Sequence, residues 1–145
     1  MPGKRQEVAM AGTDHSGAPQ GVSGGPRLLL RLEGLALFLG GVAGFGMSAQ
    51  PWWLFAALIL VPDLSMLGYL FGNRVGAMLY NAFHVTFLPI ALAGAALVLA
   101  DLGILAVATI WLAHIGIDRA LGYGLKYPAG FGFTHLGRIG RAPQS

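Results

Sequence analysis

The chain has 145 residues, of which 55% are hydrophobic and only 10% charged, and its mean hydropathy is +0.66. A soluble domain carries roughly a quarter charged residues, because a small fold needs a large solvated surface; this composition excludes one and is that of a membrane protein. The absence of cysteine excludes a disulfide framework, a thiolate zinc site, an iron–sulfur cluster and a cysteine nucleophile.

Residues 1–26 hold six glycines and three prolines without an apolar run. They read as a disordered tail, because nothing there offsets the entropy of ordering. Lys4 and Arg5 are not followed by the apolar stretch of a signal peptide. From Leu28 the chain turns apolar, and a membrane-crossing helix needs roughly 20 residues. Four spans are expected, at about 28–47, 52–71, 75–100 and 102–121, within a transmembrane domain over 27–122. The first carries Arg31 and Glu33 early, and its alternative is an interfacial helix. Pro51, Gly72-Asn73-Arg74 and Asp101 mark the turns. Such short connections force antiparallel neighbours, so the expected fold is an all-α, four-helix membrane bundle. Residues 123–145 follow as an interfacial segment rich in tyrosine, phenylalanine and glycine. Its alternative is a lid that folds back under the bundle, with Lys126, Thr134 or His135 reaching inward.

In this topology all nine Lys and Arg residues fall at the end that carries both tails and Arg74. The positive-inside rule makes that end cytoplasmic. The net charge of +3 is thereby explained, and nucleic acid is excluded as the partner.

Ionisable residues inside a span are expensive in hydrocarbon and mark sites by default. Glu33, Asp63, His84, His114 and Asp118 are the set here. At 1.5 Å of rise per residue they lie roughly 9, 12, 13, 10 and 5 Å from the tail-side ends of their helices, so all four helices are expected to contribute to one polar layer. Glu33 shares a stripe with Gly40 and Gly44, a small-residue step suited to close packing. His84 shares one with Ala77, Asn81, Leu88, Ala91 and Ala95, and His114 and Asp118 are one turn apart on one face. Pro62 precedes Asp63 and Pro89 follows His84, so two helix breaks are expected beside two of these residues. Asn81, Arg119, Lys126 and His135 are further candidates at the tail-side end.

Two chemistries suit such a layer. The preferred one is binding or relay of a proton or small cation. The other is a first-row metal ion held by Asp63, His84, His114 and Asp118, serving a metal-dependent membrane oxidoreductase. A third reading is an accessory subunit packing on a membrane partner or on a second copy. In a purely structural reading, Glu33 and Asp118 pair with Arg31, Arg119 or Lys126, and His84 bonds Asp63 or Asn81. No phosphate loop, nucleophile triad or dinucleotide fingerprint is present, so no enzyme class is assigned.

The string His114-Ile115-Gly116-Ile117-Asp118-Arg119, then Gly122-Tyr123-Gly124-Leu125-Lys126-Tyr127-Pro128 and the segment from Phe131 to Leu136, resembles a family of small bacterial integral membrane proteins classed as a domain of unknown function. The resemblance covers about Leu28 to Gly137. It implies four membrane helices in a bacterial inner membrane. It lends no catalytic residue, although its signature contains His114, Asp118, Arg119, Lys126 and His135.

Overall fold

The computed structural model describes residues 21–140. Five α-helices, α1 (Gly24–Met47), α2 (Trp52–Leu58), α3 (Asn73–His84), α4 (Phe87–Leu99) and α5 (Leu102–Leu121), are joined by a 3-10 helix over Val61–Phe71 and followed by a small hairpin of β1 (Phe133–Thr134) and β2 (Gly137–Arg138). They form four segments long and apolar enough to cross a membrane: Gly24–Met47, Trp52–Phe71, Asn73–Leu99 and Leu102–Leu121. The fold is an all-α membrane bundle. Its outer surface is apolar, with Val98 86% and Leu70 80% exposed, which is the inversion that lipid as solvent requires.

Residues 1–20, most of the expected tail, lie outside the described residues. The last residues of that tail are ordered instead. Val22 N–H donates to the His135 carbonyl (2.7 Å), and α1 begins at Gly24, four residues before the expected start.

Both proline breaks occur, and each has the expected cause. Pro62 has no N–H to offer, and its ring clashes with the carbonyl four residues back. α2 therefore stops at Leu58, and the span resumes as a tighter 3-10 helix with Pro62 in its first turn. Pro89 acts likewise on the third span: Val85 is extended (φ −79°, ψ 135°), separating α3 from α4. The carbonyl of Phe83, left over at the end of α3, accepts from Trp111 Nε1 of α5 (2.6 Å). Asp101 turns the chain into the last span by accepting from Ile104 N–H (2.9 Å), which caps α5.

α5 is the hub of the bundle, packing against α1, α2 and α4. The α1–α5 seam is closed by glycine. A Cβ on Gly41 would lie 2.7 Å from the backbone of Ala113 and of Thr109, and one on Gly34 2.6 Å from Arg119 Cβ; the backbones approach because those atoms are missing. This corrects the expected stripe. Gly40 faces open space and Gly44 meets only the Thr109 side chain, so the inward face of α1 is Gly34, Gly41 and Phe45. Glu33, one residue round the helix from Gly34, is exposed. The stripe through His84 also ends early. Ala77 and His84 are buried, but beyond the break Leu88, Ala91 and Ala95 are exposed, and Pro89 and Ala96 face inward instead.

Residues 122–140 form a folded cap rather than a loose interfacial anchor. Tyr127 N–H donates to the Phe133 carbonyl (2.8 Å), Ile139 N–H to the Gly132 carbonyl (2.8 Å) and His135 N–H to the Leu125 carbonyl (3.0 Å). Leu136, Thr134 and Lys126 are buried within it. The cap is held to the bundle by Asn81, whose Nδ2 donates to the Lys126 carbonyl (2.9 Å) while its Oδ1 accepts from Lys126 N–H (2.7 Å).

Candidate metal centre

Three spans bring four side chains to one point: Asp63 from the first turn of the 3-10 helix, His84 from the last residue of α3, and His114 and Asp118 from one face of α5. One potential ligand atom from each lies within 4.8 Å of all the others. His84 Nε2 is 3.1 Å from His114 Nε2, 3.5 Å from Asp63 Oδ1 and 3.4 Å from Asp118 Oδ2. His114 Nε2 is 3.4 Å from Asp63 Oδ1 and 3.8 Å from Asp118 Oδ2. Nitrogen and oxygen ligands sit about 2.0–2.2 Å from a zinc-like ion, and the edge of such a tetrahedron is roughly 3.3–3.6 Å. The five edges that involve a histidine, 3.1–3.8 Å, bracket that value, and the edge between the two carboxylates is within 4.8 Å.

The protonation pattern is set by the surroundings. His84 Nδ1 lies 2.8 Å from the Tyr80 carbonyl. A carbonyl only accepts, so Nδ1 carries a proton and Nε2 is the atom turned toward the centre; this is how outer partners orient a ligating imidazole. The Tyr80 ring stacks on the His84 ring, with centroids 3.7 Å apart and planes 10° off parallel. Its hydroxyl donates to Asp118 Oδ2 (3.0 Å). Two carboxylates and two imidazoles thus converge, and such a set is neutralised by one divalent cation or by protons.

The two sides of the centre differ. The histidine side chains are 4% and 2% exposed, whereas those of Asp63 and Asp118 are 28% and 17% exposed. The carboxylates open onto a cavity of about 320 Å³ that is also lined by Tyr80, Tyr123, Lys126 and Phe131. Lys126, from the cap, is 4% exposed; its Nζ donates to the Phe131 carbonyl (3.1 Å) and lies over the Phe131 ring (3.7 Å). Burial pulls its pKa down to about 8, against the opposing pull of the Asp118 and Asp63 charges. Deeper in the membrane, a groove of about 210 Å³ is lined by Leu58, Val61, Pro62, Phe83, Val107, Ile110 and Trp111.

The other expected site residues take different places. Glu33 is outside the cluster, so three spans rather than four supply it. Arg119 turns toward α1, with its Cβ over Gly34. Arg31 Nε donates to the Ala120 carbonyl at the end of α5 (2.7 Å). The close histidine–carboxylate contacts among the described residues are all within this cluster, and the Glu33 and Asp118 charges act on Arg119 and Lys126 without a close ion pair. Thr134 and His135 stay within the cap. Thr134 Oγ1 donates to the Gly137 carbonyl (2.7 Å), and His135 Nδ1 accepts from Leu125 N–H (2.8 Å). Burial, with the Arg119 charge adding to it, holds the His135 pKa below the usual histidine range. Tyr80 is the residue that sequence reasoning missed. The available signal was its position one turn before His84 on the same helix.

No curated protein and no solved structure matches the chain. A family model matches residues 27–139, most of the chain, and covers all four spans and the cap. The chain belongs to the family described as a domain of unknown function, DUF4260.

Proposed function

We propose that this protein binds one first-row divalent metal ion at Asp63, His84, His114 and Asp118, at the cytoplasmic end of a four-span bundle. This is the metal-ion alternative of the sequence reading, without its oxidoreductase activity, in place of the proton or small-cation relay preferred there. The observation that carries it is the convergence of four potential ligand atoms within 4.8 Å of one another, with His84 Nε2 turned inward and the five separations that involve a histidine at 3.1–3.8 Å. A site with two imidazoles, two carboxylates and no thiolate suits zinc, manganese or iron. With two carboxylates the bound ion is charge-neutral overall, which makes it tolerable at this depth. Four protein ligands complete a tetrahedron, so a further ligand from the cavity on the more exposed carboxylate side enters by expansion to five-coordination. Placing this end in the cytoplasm rests on the sequence pattern, which assigns the Lys and Arg residues to the end that carries the tails, and the inner membrane of a bacterium is the location that goes with it.

The test is metal content by mass spectrometry of detergent-purified protein, beside a His84→Ala, His114→Ala double variant. One ion per chain in the wild type and its loss from a variant that still elutes as a folded species is the expected result. Wild-type protein that stays free of zinc, manganese, iron and cobalt after incubation with each would overturn it.

A further inference from the structure

We infer that the ligand of this centre is a membrane amphiphile with a phosphate-ester head, its phosphate bridging the metal ion and the Lys126 ammonium and its alkyl chain lying in the apolar groove. The inference rests on the metal reading above and goes further, to the class of molecule the site receives.

One cavity is lined by two of the four ligands, and a second, apolar groove is lined by residues that neighbour the ligands along the chain. The aqueous-side cavity is lined by both carboxylate ligands and by Lys126, and Lys126 is the buried cation that the cap delivers there. An ammonium has three donors; one is used on the Phe131 carbonyl, which leaves donors for an anion. Two carboxylates cancel a divalent ion, so Lys126 makes the loaded site positive by one charge, and its ligand is an anion. At about 320 Å³ the cavity exceeds what a carboxylate needs. A tetrahedral phosphate points oxygens in several directions, so one oxygen meets the ion while another accepts from Lys126.

The groove lies on the membrane-deep side. Pro62 and Phe83 directly precede Asp63 and His84, and Ile110 is one helical turn before His114 with Val107 one turn further. It therefore lies beside the ligand-bearing turns, on the apolar face of the spans, where an alkyl chain belongs. A site that is cationic at its aqueous end and apolar at its membrane end matches the two ends of one amphiphile. A free phosphate uses only the first end.

The experiment uses cobalt-loaded full-length protein in a non-ionic maltoside detergent, titrated with dodecyl phosphate or inorganic phosphate and followed by the visible bands of bound cobalt. Dodecyl phosphate should bind at least about tenfold more tightly than inorganic phosphate, because only it fills the groove. Lys126→Met, which keeps the buried stem, should weaken both by about tenfold or more, and Lys126→Arg should restore most of the loss. Val107→Trp, which fills the groove, should weaken dodecyl phosphate alone. Equal affinity for the two phosphates, or an unchanged response in a cobalt-loaded Lys126→Met protein, overturns the amphiphile inference while the metal site stands. Wild-type protein that takes up none of cobalt, zinc, manganese and iron removes the metal reading, and this inference with it.

Discussion

His84 shows how much of the proposed metal site rests on a single outer contact. Its ring is held by the Tyr80 carbonyl on one edge and by the stacked Tyr80 ring on one face, so the direction of Nε2 and the ring plane are both set by Tyr80. The same tyrosine donates to Asp118 and so positions two ligands of the four. Tyr80→Phe removes only the hydroxyl. It should lower metal affinity by about tenfold, the usual cost of an outer-shell partner, whereas Asp118→Asn should cost more. Competition against a chromophoric chelator measures both. At the cap, His135 accepts from Leu125 N–H through Nδ1 and must be unprotonated there. Its docked pKa is lowered from 6.5, so the docked state binds fewer protons than the undocked one. Docking is fully stabilised above pH 6.5 and weakens as pH falls through that value toward the docked pKa. The melting temperature of the detergent-solubilised protein should drop between pH 7.5 and 5.5. His135→Asn, whose amide oxygen keeps the acceptor without titrating, should flatten that drop.

At the scale of elements, the breaks matter more than the helices. A continuous second span would turn Asp63 by a different angle from the 3-10 geometry it now has. The sequence around Pro62 makes that continuous helix impossible. Pro62→Ala removes the obstacle, and metal affinity should fall by about tenfold or more with the bundle still folded; the readouts are metal content and circular dichroism. The α1–α5 seam makes the opposite prediction. Gly41 has backbone atoms of Ala113 and Thr109 at 2.7 Å from where a Cβ would be, and backbone cannot move aside as a side chain can. Gly41→Ala should destabilise the protein by about 1–3 kcal/mol, seen in thermal melting. Gly40→Ala, which faces open space, should not. The heptad offset between Gly34 and Gly41 was present in the sequence. Gly40 and Gly44 formed an equally regular step, and only the rotation of α1 against α5 separates the two.

Across the described residues, Arg27, Arg31, Arg119, Lys126 and Arg138 lie at the end of the bundle that holds the cluster. Since the chain has no cysteine, single cysteines report topology directly. Ala49→Cys lies in the turn between the first two spans and Ala129→Cys in the cap, both at exposed positions. In intact cells a membrane-impermeant maleimide should label the first and spare the second; the reverse pattern would place the centre outside the cytoplasm.

The four spans, their approximate ends and the two breaks were legible in the chain alone, because apolar length and proline geometry are local properties. The composition likewise determined that lipid is the solvent. Asp63, His84, His114 and Asp118 could be singled out by the cost of a polar group in hydrocarbon, and their similar depth followed from helix rise. Glu33 met the same two criteria and still faces outward. Depth along a helix is counted in residues, but direction around it depends on which neighbour it packs against, and that is set by contacts far apart in sequence. The same reason kept Tyr80 and Lys126 out of the expected core of the site. Tyr80 acts through its backbone carbonyl and ring stacking, and Lys126 arrives only because Asn81 and the hairpin fold the chain back under the bundle. The tertiary structure decided which polar groups meet, since each ligand is stabilised by surroundings that no single span provides.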